Sequence, residues 1–289
     1  MSDRVLRVQS QLTDRDHVLL GWLADHGVLT TFQIATVLFP SLDYAQERLR
    51  KLLALAVVDR FRPQRPNGGS HPYHYVLAQL GVDVVSAQRG EPPPRRDHAT
   101  RRRWHLTNRA NLPHLLGVNG FFTDLAGHAR THPGSELRRW WPAARCQRMG
   151  AFATDDDDIH VRTYTPRSRP DGHGVWAEDG HSIAFFLEHD LGTERPLRRL
   201  IDKLDGYTDL AHVTGRLCPV LFWLPNPTRE RHLQQELSRH GVRYPVATAV
   251  HGAGPGNPAQ AVWWVHQRAG APVRLIDLTS PIPGAGGER

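Results

Sequence analysis

Apolar residues recur at helical spacing through the first fifty positions, in three blocks parted by turn residues. Thr13 stands as an N-cap with Asp16 three residues on, and Val18, Leu19, Trp22 and Leu23 make one stripe before Gly27. The short extended pair Val28-Leu29 leads to a second helix, capped by Thr30 or Thr31, whose face of Ile34, Val37, Leu38 and Phe39 stops at Pro40. After a turn at 41–43, Ala45, Leu49, Leu52 and Leu53 line a third helix that carries Gln46, Glu47, Arg48, Arg50 and Lys51 on its other face. The pattern then becomes that of strands at 57–61 and 73–77, around a loop rich in Pro, Gly and Asn. Three short helices and a hairpin are the winged helix-turn-helix plan, in which the third helix enters the major groove and the hairpin touches neighbouring backbone. Arg48, Arg50 and Lys51 are the groove candidates, and Arg60, Arg62 and Arg65 the wing candidates.

The apolar segment 81–87 closes a first domain at 1–88, and 89–104 reads as a basic linker. It holds Pro92-Pro93-Pro94, Arg95-Arg96 and the run Arg101, Arg102, Arg103, a composition that suits either phosphate contact or a solvated tether. Beyond it the pattern predicts a broad apolar helix at 105–130 and a strand at 137–145. The acids Asp155 to Asp158 sit in an exposed loop. Strands follow from Pro170-Asp171 to Trp176 and over 183–190, then a helix at 195–207, a continuous apolar strand at 219–224, a helix at 229–240 and a strand at 261–266. Helix, three strands, helix, strand is an α/β core with a mixed sheet, placed at 105–270 ahead of a Pro/Gly-rich tail at 271–289. The fold class expected is therefore α+β, a winged helix followed by a mixed-sheet α/β domain.

Charge divides the same way. Of 36 Lys+Arg and 29 Asp+Glu, residues 1–110 hold 16 and 10, so the surplus of cations lies in the N-terminal part and points to a polyanionic partner there. Two distant cysteines, Cys146 and Cys218, indicate neither a disulfide framework nor a cysteine zinc site. With no signal-type N-terminus and no long apolar run, a cytoplasmic protein without a membrane span is expected.

Candidate chemistry gathers in the second domain. Side chains alternate across a strand, so Glu188 and Asp190 share one face, while Lys203 and Tyr207 share a helix face. Lys51 and Lys203 are the chain's two lysines amid abundant arginine, which marks Lys203 as a compact ammonium retained beside acids.

Pro170-Asp171 before one strand and Glu188-x-(charged) in the next resemble the PD-(D/E)XK, or restriction-endonuclease-like, superfamily. That resemblance implies Mg²⁺ or Mn²⁺ held by Asp171 and Glu188, with Asp190 as a further carboxylate, and a lysine acting on the attacking water or the phosphorane charge. Asp190 stands where the family's lysine belongs, and Lys203 on the following helix is the residue placed to replace it. Glu194 and Tyr207 are the supporting candidates.

The winged helix, Pro-Asp, the segment Phe186-Leu187-Glu188-His189-Asp190-Leu191-Gly192-Thr193-Glu194 and the Lys203-to-Tyr207 helix end together resemble the replication-relaxation family of actinobacterial and Firmicute plasmids and integrative elements. The resemblance runs from about Thr13 to about His240 and implies a role in plasmid or mobile-element replication, with double-stranded DNA as partner. A second copy of the chain, or other replication or transfer proteins, are further partners it allows. The activity expected is a Mg-dependent DNA nuclease; the alternative is a non-catalytic replication accessory or transcriptional regulator with a degenerate nuclease-like domain. A tyrosine-dependent relaxase would need a histidine metal cluster, and no His-x-His triplet supports one.

Overall fold

The computed structural model describes residues 3–63, 70–92, 94–252 and 256–278. The chain divides into two compact units, Met1–Gly127 and His128–Arg289. In the first, helix α1 (Asp3–Gln9) precedes α2 (Asp14–His26), strand β1 (Leu29–Thr30), α3 (Thr31–Leu38), α4 (Leu42–Ala54), β2 (Val58–Phe61), β3 (His74–Leu77) and α5 (Gln79–Gln88). The strands form an antiparallel sheet in the order β1-β3-β2. The caps behave as their side chains dictate: the Asp16 carboxylate accepts from the backbone and hydroxyl of Thr13, and Thr30 and Gln33 close a reciprocal box at the start of α3. Gly81 lets α5 approach the sheet, since a Cβ there would lie 1.9 Å from the Val57 carbonyl oxygen.

Helices α6 (His98–Thr107) and α7 (Leu112–Thr131) follow. Leu106 and Leu112 are buried in one cluster with Val28, Phe61 and Val76, so the start of the segment read as the second domain's first helix, 105–130, packs in the first unit. Most of α7 belongs there too: the Asn119 amide donates to the Val28 carbonyl at 2.7 Å, and Gln33 donates to the Leu116 carbonyl at 2.9 Å. The division falls after Gly127, near the end of a helix that periodicity alone assigned to the second domain.

The second unit is built on a six-stranded sheet in the order β4-β5-β6-β7-β8-β9, from β4 (Ser135–Pro142), β5 (Gly172–Glu178), β6 (His181–His189), β7 (Val220–Leu224), β8 (Val246–Val250) and β9 (Trp264–Val265). Strands β4, β5 and β6 form an antiparallel meander, β6, β7 and β8 run parallel, and β9 returns antiparallel. The short helices α8 (Ala143–Cys146) and α9 (Ile159–Thr163) lie between β4 and β5. Helices α10 (Arg198–Asp202) and α11 (Leu204–Thr214) cross from β6 to β7, and α12 (Pro227–Arg239) crosses from β7 to β8.

The crossover helices bury Leu200, Ile201, Leu204, Tyr207, Leu233 and Leu237 against Phe186, Phe222 and Val246. The expected strand 137–145 ends at Pro142, where the chain turns into α8, and the expected strand 261–266 keeps only two paired residues in a named strand. Strand β8 has no counterpart in the hydrophobic pattern, because Val-Ala-Thr-Ala-Val offers little apolar bulk. The acidic run divides its work: Asp158 caps α9 and Asp157 pairs with Arg216 at 2.7 Å. Among the described residues, no helix is long and apolar enough to cross a membrane.

Candidate functional site

Strand register brings the acids together. Asp171 lies one residue before β5, and its backbone N–H donates to the Leu187 carbonyl at 3.0 Å; its carboxylate accepts from the His189 N–H at 2.8 Å. Glu188 is thereby its neighbour on β6, and it is 2 % exposed. Lys203 occupies the joint between α10 and α11, from which its Nζ reaches Glu188 Oε2 at 2.8 Å and Glu194 Oε2 at 3.4 Å. Tyr207, one helical turn on and fully buried, donates its hydroxyl to Glu188 Oε1. Gly206 between them is required for this fit: a Cβ there would lie 2.9 Å from the Ser168 backbone nitrogen, so any side chain would push α11 away from the segment leading to Asp171.

Burial and the neighbouring Asp171 carboxylate push Glu188 up to about 7, against the downward pull of Lys203 and Tyr207. Burial would lower Lys203, but the surrounding carboxylates Glu188, Glu194 and Asp171 outweigh it and hold the amine protonated, above its usual range. Lys203 is therefore held as an ammonium between Glu188 and Glu194. The Tyr207 phenol is raised well above its usual value by burial and by Glu188, so it stays protonated as the donor to that carboxylate.

Asp190 departs from the expected trio. It follows β6 and is 3 % exposed, but its Oδ2 accepts from Arg229 Nε at the start of α12 and its Oδ1 accepts from the Gly192 N–H at 2.8 Å. Arg229 also donates to the Glu194 carbonyl at 2.7 Å, so this ion pair shapes the 190–194 loop that carries Glu194. Among the described residues, no group of three or more His, Cys, Asp or Glu is set to hold a metal ion. Asp190 is thus engaged by Arg229 and the Gly192 N–H, while Asp171 and Glu188 stand as neighbours at the β5–β6 strand end. Asp171 and Glu188 retain the hard oxygen donors that Mg²⁺ or Mn²⁺ accepts when water and substrate phosphate complete the shell. Arg229 was not among the expected residues, since on the sequence it is one more charge on a polar helix face.

In the first unit the expected cations separate. Arg48 is committed inward: it forks onto Asp16, which is 1 % exposed, and donates to the Gln11 carbonyl at 3.0 Å. Lys51 pairs with Glu47 at 2.7 Å. Arg102 is largely buried and donates to the Ala24 carbonyl at 2.5 Å, Arg103 pairs with Asp59, and Arg101 pairs with Asp97 at 2.5 Å. Arg65 lies outside the described residues. Arg50, Arg60 and Arg62 converge on a cleft of about 480 Å³ between α3, α4 and the β2–β3 hairpin.

The sequence model of the replication-relaxation family matches residues 20–221. The chain belongs to the replication-relaxation family. The match spans α3 and α4, the small sheet, and the second unit through Asp171, Glu188, Lys203 and the start of β7. It stops short of Arg229, so the ion pair that occupies Asp190 lies partly outside the matched region. Neither the curated proteins nor the solved structures compared with this replication-relaxation chain gave a match. Membership supports a role connected with plasmid or mobile-element replication.

Proposed function

We propose that this protein binds DNA through its first unit and cleaves a phosphodiester through its second, in the replication or relaxation of a plasmid or mobile element. The observation that carries the catalytic part is the convergence of Lys203 on Glu188 beside Asp171 at the mouth of β5 and β6. The order helix, three strands, helix, strand around that pocket also supports the restriction-endonuclease-like reading. In this reading Asp171 and Glu188 would hold Mg²⁺ or Mn²⁺, which would supply Lewis-acid polarisation of the phosphate and a more acidic water.

Each remaining part follows from the chain's own groups. Lys203, kept protonated, donates to the phosphoryl oxygens as charge builds on them. Tyr207 fixes the Glu188 carboxylate from inside the core, and the Asp190–Arg229 pair holds the loop that presents Glu194. In the first unit, helices α2, α3 and α4 followed by the β2–β3 hairpin support the winged-helix reading and DNA as its partner.

The test is incubation with supercoiled and linear DNA, with and without Mg²⁺ or Mn²⁺, for the wild type, Glu188→Ala and Lys203→Ala. Metal-dependent nicking lost in both variants is expected; equal background nicking by wild type and Glu188→Ala removes the catalytic claim. A second reading, a DNA-binding accessory or regulator without catalysis, is favoured by one observation: both Glu188 oxygens already accept hydrogen bonds from within the fold. Under it Glu188 is a structural keystone, and Mg²⁺ leaves the melting temperature of the second unit unchanged.

A further inference from the structure

The cleft in the first unit has a chemistry that a groove-reading helix does not need. Its wall includes Phe32, Gln46, Arg50, Arg60, Arg62 and Tyr73, and no acid is among the described residues that line it. The guanidinium carbons of Arg60 and Arg62 stack on the Tyr73 ring, 3.8 and 3.9 Å from its centroid. Such contacts hold two long side chains in place before any ligand arrives, which reduces the ordering cost of binding an anion. Arg50 donates weakly to the Gln46 carbonyl at 3.4 Å, and none of the three arginines has a carboxylate at ion-pair distance among the described residues. Phe32 lies at the start of α3 with 57 % of its surface exposed, although the rest of that helix's apolar face is turned inward.

Helix α4 is meanwhile a poor cationic ridge. Arg48 is spent on buried Asp16, Lys51 is paired with Glu47, and Asp43 stands in the first turn. Positive charge is concentrated in the concavity beside α4 and not along its crest. A cleft of about 480 Å³ falls in the usual range for enclosing a small ligand, about 300–1,000 Å³, and cannot take a duplex in cross-section. It suits a nucleotide or two. In a duplex the base faces are stacked away and Phe32 would meet only sugar and phosphate, whereas an unpaired strand offers both a phosphate and a base face.

We propose that this cleft binds an unpaired DNA strand, with phosphates on Arg50, Arg60 and Arg62 and a base stacked on Phe32. The proposal rests on the reading that the first unit binds DNA, and it changes the preferred form from duplex to single strand.

The experiment is fluorescence-anisotropy binding of the full chain, without divalent metal, to a labelled oligonucleotide presented single-stranded or as a duplex, across a salt series. Tighter binding of the single strand is expected, with log K falling against log salt at a slope of about −2 for three phosphates. The pair Arg60→Ala/Arg62→Ala should flatten that slope to about −0.7. Phe32→Ala should weaken single-strand binding about tenfold, with Phe32→Tyr restoring it; Phe32 is exposed, and an unchanged circular-dichroism melt checks that the variant is folded. Duplex bound as tightly as the single strand overturns the proposal and leaves DNA binding by the unit standing. Failure to bind either form overturns both.

Discussion

The two units use charge in opposite ways. The first holds the cation surplus of the sequence, yet Arg48, Arg89, Arg102 and Arg103 are tied to Asp16, Asp25, the Ala24 carbonyl and Asp59, while Arg50, Arg60 and Arg62 line one cleft. The second is nearly neutral by count but buries Glu188 and Asp190 with Lys203 and Arg229 within one strand end and its flanking helices. Net charge along a chain therefore says little about charge offered to a partner: fold-internal pairs must be removed first. In the first unit a cation works by being exposed, and in the second by where it is held.

The largest test of that contrast is Arg229→Ala. It leaves Asp190, 3 % exposed, without its guanidinium, and breaking a buried pair from one side costs about 3–5 kcal/mol. Hydrogen exchange should show the loss in 128–278, with 3–127 unaffected. The counterpart in the first unit is Arg48→Ala, which strands Asp16 in the same way but at a more exposed arginine, with a loss of about 2–3 kcal/mol confined to 3–127. If Arg48→Ala instead leaves stability intact and weakens DNA binding, the division between structural and exposed arginines fails.

Next in size is an acid effect in the first unit's interior. Burial lowers His26 from 6.5 to about 3, with Asp25 opposing and Arg102 and Arg89 assisting. A depressed folded value means that the neutral ring stabilises the fold above pH 6.5 and that this contribution drains away as pH falls towards 3. At pH 5 the loss is about 2 kcal/mol. Urea midpoints for wild type and His26→Gln at pH 7 and pH 5 measure it; a wild-type midpoint that falls no further than the variant's between the two would exclude the histidine as the cause.

How much of this was legible in the sequence follows from the range of each interaction. Helices α2 to α4 were readable because caps and apolar stripes are local: Thr13 with Asp16, Thr30 with Gln33. The Glu188–Lys203 contact was readable too, since strand alternation and one following helix fix both ends. The Asp190–Arg229 pair spans 39 residues and a second crossover, and no periodicity links its ends. The run Arg101 to Arg103 suited either phosphate contact or a solvated tether, because its composition conceals that Leu106, on the same helix, and Leu112 close the first unit's core. Phe32 gave a weaker clue: it falls out of phase with Ile34 and Val37, which marks an apolar residue placed at the surface.

The smallest predicted effect in stability is the most discriminating for function. Tyr207→Phe removes one hydroxyl and keeps the ring that packs on Phe186 at 4.8 Å, so the core is preserved and only the donor to Glu188 is lost. The cost is about 1.5 kcal/mol, the lower end for a hydrogen bond to a charged group. Tyr207 is fully buried and touches no DNA, so affinity for DNA should be unchanged. If Glu188 is catalytic, loosening its carboxylate lowers the metal-dependent nicking rate at saturating DNA and leaves the half-saturating concentration alone. A protein that melts slightly lower, binds as before and nicks at the wild-type rate would show that the placement of Glu188 serves the fold and not the reaction. The matching change in the first unit, Phe32→Ala, is expected to do the reverse: affinity falls while the turnover of bound DNA stays. Action through placement and action through contact are thus separated by which kinetic constant moves.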